Sequence, residues 1–186
     1  MQTITKRLLT WALIIAALLM VPLVAMQFSS EWDWNWFDFA FMGCLLLGSA
    51  LIYELIAPKK HNDTYRIAVG IAVVTTIVIT WINGAVGIIG NEDHPANLMY
   101  FGVILIGLIG TQVARLQPRG MSRAMFITAI AQALVPIIAV MIWRPQLDTG
   151  VLKVFILNTV FVMLFVESGL LFRKASMKLK AEPKAK

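Results

Sequence analysis

The stretch Ala124–Trp143, AMFITAIAQALVPIIAVMIW, carries no charged side chain, and Arg123 and Arg144 border it. A helix needs about 20 predominantly apolar residues to cross roughly 30 Å of hydrocarbon. Lipid offers the backbone no hydrogen-bond partners, so a segment buried in it must satisfy its own amide groups, as a helix does. The stretch therefore predicts a transmembrane helix.

Five further apolar runs have a similar length, so the sequence predicts an all-α polytopic membrane protein with six transmembrane helices. The composition agrees, because 59% of the residues are hydrophobic and only 14% are charged. We divide the chain into one six-helix transmembrane domain, residues 1–172, and a basic cytoplasmic tail, residues 173–186. The six helices are predicted at Leu8–Phe28, Phe37–Ala57, Ile67–Ile89, Leu98–Leu116, Ala124–Trp143 and Val151–Phe172.

The Lys and Arg residues are distributed unevenly between the two ends of these helices. Basic residues next to membrane helices are retained on the cytoplasmic side. If the first helix starts in the cytoplasm, all but two of the 16 basic residues lie inside, and only Arg144 and Lys153 lie outside. We therefore predict a bundle in the bacterial inner membrane, with both termini cytoplasmic and with Glu31–Trp36 and Asn91–Asn97 as outer loops.

The net charge of +6 is spread over short loops and the tail instead of forming one patch. This distribution is typical of topology determinants and of contacts to anionic lipid, and it excludes a concentrated nucleic-acid interface. We expect the partners to be the lipid bilayer and anionic lipid headgroups at the cytoplasmic face. A second copy of the chain or another membrane protein is left open as a further partner, and nucleic acid is not expected.

Small and hydroxyl-bearing residues recur on one face of two consecutive predicted helices. Thr76, Thr80 and Gly87 follow helical spacing in the third, and Gly107 and Gly110 do so in the fourth. Small residues let two membrane helices approach closely. We therefore predict that these helices form an antiparallel hairpin and pack through these residues.

Polar residues inside the predicted helices are the candidate functional residues, because burying them in lipid is costly. Glu54 and Glu167 lie near the cytoplasmic ends of the second and sixth helices. They form either a proton-linked or cation site or an interfacial ion-pair cluster with Arg115 and Arg123. We favour the cluster, because groups near the interface can reach water. The full set of candidate intramembrane residues is Glu54, Glu167, Gln132, Asn83 and Asn158.

Pro136 interrupts the backbone hydrogen bonding of the fifth predicted helix. It has no N–H to donate to the carbonyl of Gln132, four residues earlier. A bend satisfied by neighbouring helices explains this proline, and so does a transporter site, since transporters place binding sites at broken helices. The sequence leaves both explanations open.

The sequence lacks the common catalytic and cofactor motifs: G-x-S-x-G, H-E-x-x-H, a Gly-rich phosphate loop and C-x-x-C are all missing. His61 and His94 are predicted on opposite sides of the membrane, so they cannot ligate one haem together. His94 with Glu92 and Asp93 offers a weak basis for a metal site. We therefore predict no catalytic residue, no metal and no cofactor, and we lean against an enzyme.

Three segments resemble a family of small bacterial inner-membrane proteins. They are Trp34–Phe39 (WNWFDF), Asn91–Val103 (NEDHPANLMYFGV) and Arg119–Ala124 (RGMSRA). The resemblance covers most of the chain and implies a six-helix inner-membrane fold. The family has no established activity, so the resemblance implies no substrate.

These observations favour a non-enzymatic accessory, interaction or lipid-organising role. The alternative is a small transporter or channel for an ion or small solute, proton-coupled through Glu54 and Glu167. Transport would need a hydrated path from the outer asparagines to these inner glutamates. On the sixth helix, however, Asn158 and Glu167 are spaced so that they point to opposite faces.

Overall fold

The computed structural model describes residues 4–29, 33–57, 62–145 and 149–181, and within these ranges it contains helices and no strand. The predicted Glu31, His61 and residues 182–186 of the tail lie outside the described residues. A single 3₁₀ turn, Pro95–Asn97, precedes the fourth helix. The main helices are α1 (Ile4–Phe28), α2 (Trp36–Ile56), α3 (Asp63–Ala85), α4 (Leu98–Val113), α5 (Pro118–Trp143) and α6 (Thr149–Ala181).

All six helices have candidate spans that are long and apolar enough to cross a membrane. The prediction of an all-α protein with six transmembrane helices is therefore confirmed. Length and composition mark the chain as a membrane protein, since a helix of about 20 apolar residues matches the hydrocarbon thickness.

The helices extend beyond the apolar runs where polar residues continue or cap them. The α3 helix begins at Asp63 because Asn62 caps it: the Asn62 Oδ1 accepts from Thr64 N at 3.0 Å and from Tyr65 N at 3.4 Å. The α6 helix continues to Ala181, so the described part of the predicted tail is helical. A helix can leave the bilayer without ending, because its backbone bonds are internal.

The chain divides into two compact units, Met1–Glu54 and Leu55–Lys186, which we call unit 1 and unit 2. Unit 1 contains α1 and nearly all of α2. Its two helices are connected through side chains: the Trp11 and Tyr53 rings meet edge to face with centroids 5.8 Å apart. Leu19 supplies a second contact, 3.7 Å from where a Cβ on Gly43 would lie.

Unit 2 contains α3 to α6, and α5 is the most buried of its helices. The α5 helix packs against both α4 and α6, and α6 packs against α3. The α3–α6 seam includes a hydrogen bond from Ser168 Oγ to Ala68 O at 2.9 Å. It also includes an edge-to-face contact of Tyr65 with Phe172, with centroids 5.0 Å apart.

The predicted packing of α3 on α4 is wrong, because these helices make only slight contact. The small residues of α4 face α5 instead. A Cβ on Gly107 would lie 3.3 Å from Thr128 Oγ1, and one on Gly110 would lie 2.8 Å from the Ala124 Cβ. Spacing identifies a closely packed face, but it does not identify the neighbour.

The predicted packing residues of α3 also differ in role from the expectation. The Thr76 and Thr80 hydroxyls bond to carbonyls of their own helix, those of Ala72 at 2.9 Å and Thr76 at 2.8 Å. Gly87 lies beyond the end of α3 with φ 71°, a conformation that favours glycine. It is therefore a turn residue and not a helix-packing residue.

Candidate functional site

The loop between α3 and α4 is held together by the side chain of Asn97. Its Oδ1 accepts from Ile88 N at 3.1 Å and from Ile89 N at 2.9 Å. Its Nδ2 donates to Ile89 O at 3.1 Å and to Asn91 O at 2.6 Å. Buried amide groups of the loop thus find partners without secondary structure, which gives the loop a defined shape.

Two further residues fix this loop to the helices around it. Asn83, near the end of α3, donates from Nδ2 to Asn97 O at 3.2 Å. The His94 Nδ1 accepts from Ala96 N at 3.2 Å, and the His94 ring lies 5.2 Å from the Trp143 ring of α5. The candidate residue Asn83 therefore anchors the loop.

A cavity of about 500 Å³ lies in unit 2 between this loop, the end of α5 and the beginning of α6. Most of its wall is aliphatic or aromatic. The side chains that bring polar atoms to the wall are His94, Trp143 and Lys153, and neither Asp nor Glu is among the lining residues. Apolar lining residues include Ile88, Ile89, Pro136, Ala139, Val140, Val154 and Leu157.

A buried polar network connects α4, α5 and α6 next to this cavity. Gln132 Nε2 donates to Asn158 Oδ1 at 2.8 Å. Asn158 Nδ2 lies 2.9 Å from the Tyr100 hydroxyl and 2.8 Å from Val154 O, and donates to both. Because Val154 and Leu157 line the cavity and flank Asn158 on α6, the network stabilises the helix segment that forms the wall.

Gln132 is completely buried, but only half of its amide is bonded. Among the described residues, its Oε1 has no hydrogen-bond partner. Pro136 removes the helical donor for its backbone carbonyl as well. An unpartnered buried acceptor is costly, and among the described residues Gln132 shares this feature with Asn83, whose Oδ1 also lacks a partner.

Glu54 finds its partners within unit 1. Its Oε2 forms an ion pair with Arg7, and its Oε1 accepts from Trp11 Nε1 at 2.8 Å. The sequence analysis named neither partner, although Arg7 directly precedes the first predicted helix and Glu54 lies near the end of the second, which is predicted on the same side of the membrane. The described partners of Glu54 are therefore Arg7 and Trp11.

The other members of the predicted ion-pair cluster are Glu167, Arg115 and Arg123, which all belong to unit 2. Glu167, Arg115 and Arg123 are exposed. Within the described ranges of unit 2, no ion pair joins Glu167 to either arginine. Arg115 instead begins a sharp turn between α4 and α5, with φ 48°, followed by Leu116 with φ 57°.

No family model, curated protein or solved structure matches this chain. The function must therefore be inferred from the site and not from the fold. Among the described residues, no three His, Cys, Asp or Glu side chains are grouped as a metal site would require. The cavity and the network beside it are the candidate functional site.

The sequence indicated this site only in part. It singled out Gln132 and Asn158 as buried polar residues, and both belong to the network. It did not indicate that Tyr100 completes the network or that Lys153 lines a cavity. Tyr100 lies on the same face of α4 as Gly107, and this spacing could have indicated that Tyr100 is buried. A cavity leaves no pattern in a sequence.

Proposed function

We propose that this chain is an integral protein of the bacterial inner membrane with a non-enzymatic, lipid-organising role. In this role, unit 2 holds the apolar tail of a membrane lipid in its cavity. The observation that carries the proposal is the apolar cavity of about 500 Å³ beside the end of α5 and the beginning of α6.

The size and lining of the cavity support a bound apolar group. Pockets for small molecules typically measure roughly 300–1,000 Å³ and are mostly apolar with a few polar groups. An empty cavity forfeits the dispersion contacts of its wall. In a membrane, lipid tails are the apolar groups at hand, so a tail that fills the cavity would stabilise the protein.

The chemistry of the lining supports a role without catalysis. Ser, Cys, Asp and Glu are absent from the lining residues. His94, the one titratable ring there, uses Nδ1 to accept from Ala96 N. A Ser or Cys nucleophile with an adjacent base is therefore missing from the cavity wall.

The positive charges support an orientation with both termini cytoplasmic. Arg144 directly follows α5 and Lys153 lies in the first turns of α6, at the same end of unit 2 as the α3–α4 loop. These are the two basic residues that the charge rule assigns to the outside. In this orientation the cavity belongs to the outer half of the membrane.

Reporter fusions test the orientation. A reporter enzyme that is active only outside the cytoplasm should be inactive when fused after Ala181 and active when inserted after Glu92. Activity at Ala181 would overturn the proposed orientation, and so would inactivity at Glu92 in a chain that is inserted in the membrane.

Transport is a second candidate function, and Gln132 is the observation that favours it. Its unpartnered amide oxygen lies one turn before Pro136, a proline inside α5, and proline-interrupted helices are a feature of transporter sites. Against this, Asn158 is buried in the network while Glu167 is exposed. The two residues therefore do not line one surface of α6.

A cavity-filling variant tests the lipid-binding role. The purified protein in detergent is titrated with phospholipid, and its melting temperature is followed, because a ligand of the folded state raises that temperature. Val140→Phe places a ring in the cavity and should abolish the rise. Ile137→Phe, at an exposed position of α5 outside the lining, is the matched control and should keep it.

A second filling variant, Val154→Phe, guards against a local folding defect in the first. The role is supported if both filling variants melt cooperatively and lose the lipid-dependent rise. It is rejected if the rise in both matches that of the parent protein.

A further inference from the structure

We propose that the lipid held in this cavity is an anionic phospholipid of the surrounding bilayer, and that Lys153 binds its phosphate. This inference rests on the proposed function, since it names the head group of the lipid whose tail fills the cavity.

Lys153 is the first observation that points to an anion. It is exposed on α6 and is the one Lys or Arg among the cavity-lining residues. Within the described ranges, no carboxylate lies within ion-pair distance of it. A lysine ammonium binds phosphate as a point charge, so a lysine that has no carboxylate partner among the described residues and lies at an apolar wall suits a ligand with a negative head and an apolar tail.

The beginning of α6 is the second observation. Gly150, the second residue of α6, also lines the cavity. The aligned peptide dipoles of a helix give its beginning a partial positive charge, which favours a nearby phosphate. Lys153 and this helix end therefore present positive charge to the same cavity.

His94 adds a hydrogen-bond donor to the cavity wall from another element of unit 2. Its Nδ1 accepts from Ala96 N at 3.2 Å, so a neutral His94 ring carries its proton on Nε2. His94 comes from the α3–α4 loop, whereas Lys153 comes from α6. A head group bound by both residues would be held by two separate elements of unit 2, while the tail lies against Ala139, Val140 and Val154.

Arg144 supplies a matched control for the charge. It carries the same charge as Lys153 at the same end of unit 2, and it is exposed, but it is not among the lining residues. If the head group is bound specifically, removing the charge of Lys153 should matter and removing that of Arg144 should not. If only the general field attracts the lipid, both changes should have the same effect.

The experiment compares two lipids with identical short chains, phosphatidylglycerol and phosphatidylcholine, each titrated into the purified full chain in detergent. Apparent dissociation constants come from the lipid-dependent shift in melting temperature. We expect the parent and Arg144→Gln to bind phosphatidylglycerol about tenfold more tightly, because the choline cation of phosphatidylcholine repels the Lys153 ammonium and phosphatidylglycerol carries no such cation. Lys153→Gln should lose this preference, and Lys153→Arg should keep most of it.

The outcomes separate this inference from the proposed function. Equal binding of both lipids by the parent, with both lost in Val140→Phe, would overturn the anionic preference and leave the cavity as a lipid-tail site. If Lys153→Gln still prefers phosphatidylglycerol, the proposed role of Lys153 is overturned.

If Val140→Phe still binds both lipids, the proposed function and this inference are overturned together. Inorganic phosphate at the same concentrations should give no shift, and a shift equal to that of phosphatidylglycerol would identify a phosphate site instead of a lipid site.

Discussion

Gly110 of α4 and Ala124 of α5 lie so close together that a Cβ atom on the glycine would come within 2.8 Å of the Ala124 Cβ. Carbon atoms in contact are normally about 3.5–4.0 Å apart. The α4–α5 seam therefore has no room for a larger residue at position 110. On the same helix, a Cβ on Gly102 would meet nothing within 4 Å.

This contrast gives the first prediction. Gly110→Ala should force α4 and α5 apart and lower the stability of the protein by about 1–3 kcal/mol, as overpacking of a close seam does. Gly102→Ala should change stability little, because its methyl group enters open space. Thermal unfolding of both variants in the same detergent measures the difference, and equal melting temperatures would refute the close seam.

Asn158 should be the most sensitive member of the buried network. Asn158→Leu removes the partner of Gln132 Nε2 and of the Tyr100 hydroxyl together, so we expect a loss of about 1–3 kcal/mol. Gln132→Leu should cost less, because it removes a single hydrogen bond together with an acceptor that has no partner. Unfolding in mixed detergents compares the two variants, and a larger loss for Gln132→Leu would contradict the network as described.

Asn97 should control the shape of the α3–α4 loop. Asn97→Ala removes four hydrogen bonds between one side chain and the loop backbone. We expect faster proteolytic cleavage of residues 86–94 in this variant, because the freed amide groups favour open conformations. Asn91→Ala, in which the backbone carbonyl that accepts from Asn97 remains, is the control and should be cleaved like the parent. Equal cleavage of Asn97→Ala and the parent would show that the loop does not depend on this side chain.

Substitutions of Glu54 and Glu167 test whether the protein has the lipid-organising role or is a transporter. Glu54→Gln weakens the ion pair with Arg7 and keeps an acceptor for Trp11, so we expect a cost of at most about 1 kcal/mol. Glu167→Gln should be tolerated as well, because the side chain is exposed. Proton and cation flux into liposomes should be absent from the parent and from both variants. Flux in the parent that disappears in either variant would support the transporter instead.

The membrane helices are the part of the fold that the sequence predicted best. The length of an apolar run reflects the thickness of the hydrocarbon. The predicted ends of the first helix at Phe28 and of the fifth at Trp143 are the ends that the structure shows. The end of α6 was predicted at Phe172 and lies at Ala181. The apolar run measures only the part of a helix that lies in lipid, so helical turns in water leave no such signal.

The contacts between helices were predicted less well, for a physical reason. Helical spacing indicated that Gly107 and Gly110 lie on a packed face, and this is so. Their neighbour is α5 and not α3, because a face can pack on any helix that offers a complementary surface. The sequence likewise identified Gln132 and Asn158 as separate polar residues inside predicted helices. It did not predict their hydrogen bond, because that bond depends on the register of α5 against α6, which neither helix determines alone.

The division of the chain into two units has a consequence for its biosynthesis. The α1–α2 pair is translated first, and its contacts of Trp11 with Tyr53 and Glu54 need nothing that is made later. In unit 2, by contrast, Ser168 of α6 bonds to Ala68 of α3, a hundred residues earlier. During synthesis, α3 therefore lacks its packing partner α6 until α6 has left the ribosome. In chains whose translation stops before α6, the face of α3 that packs on α6 would stay uncovered, and membrane proteases and chaperones could bind it.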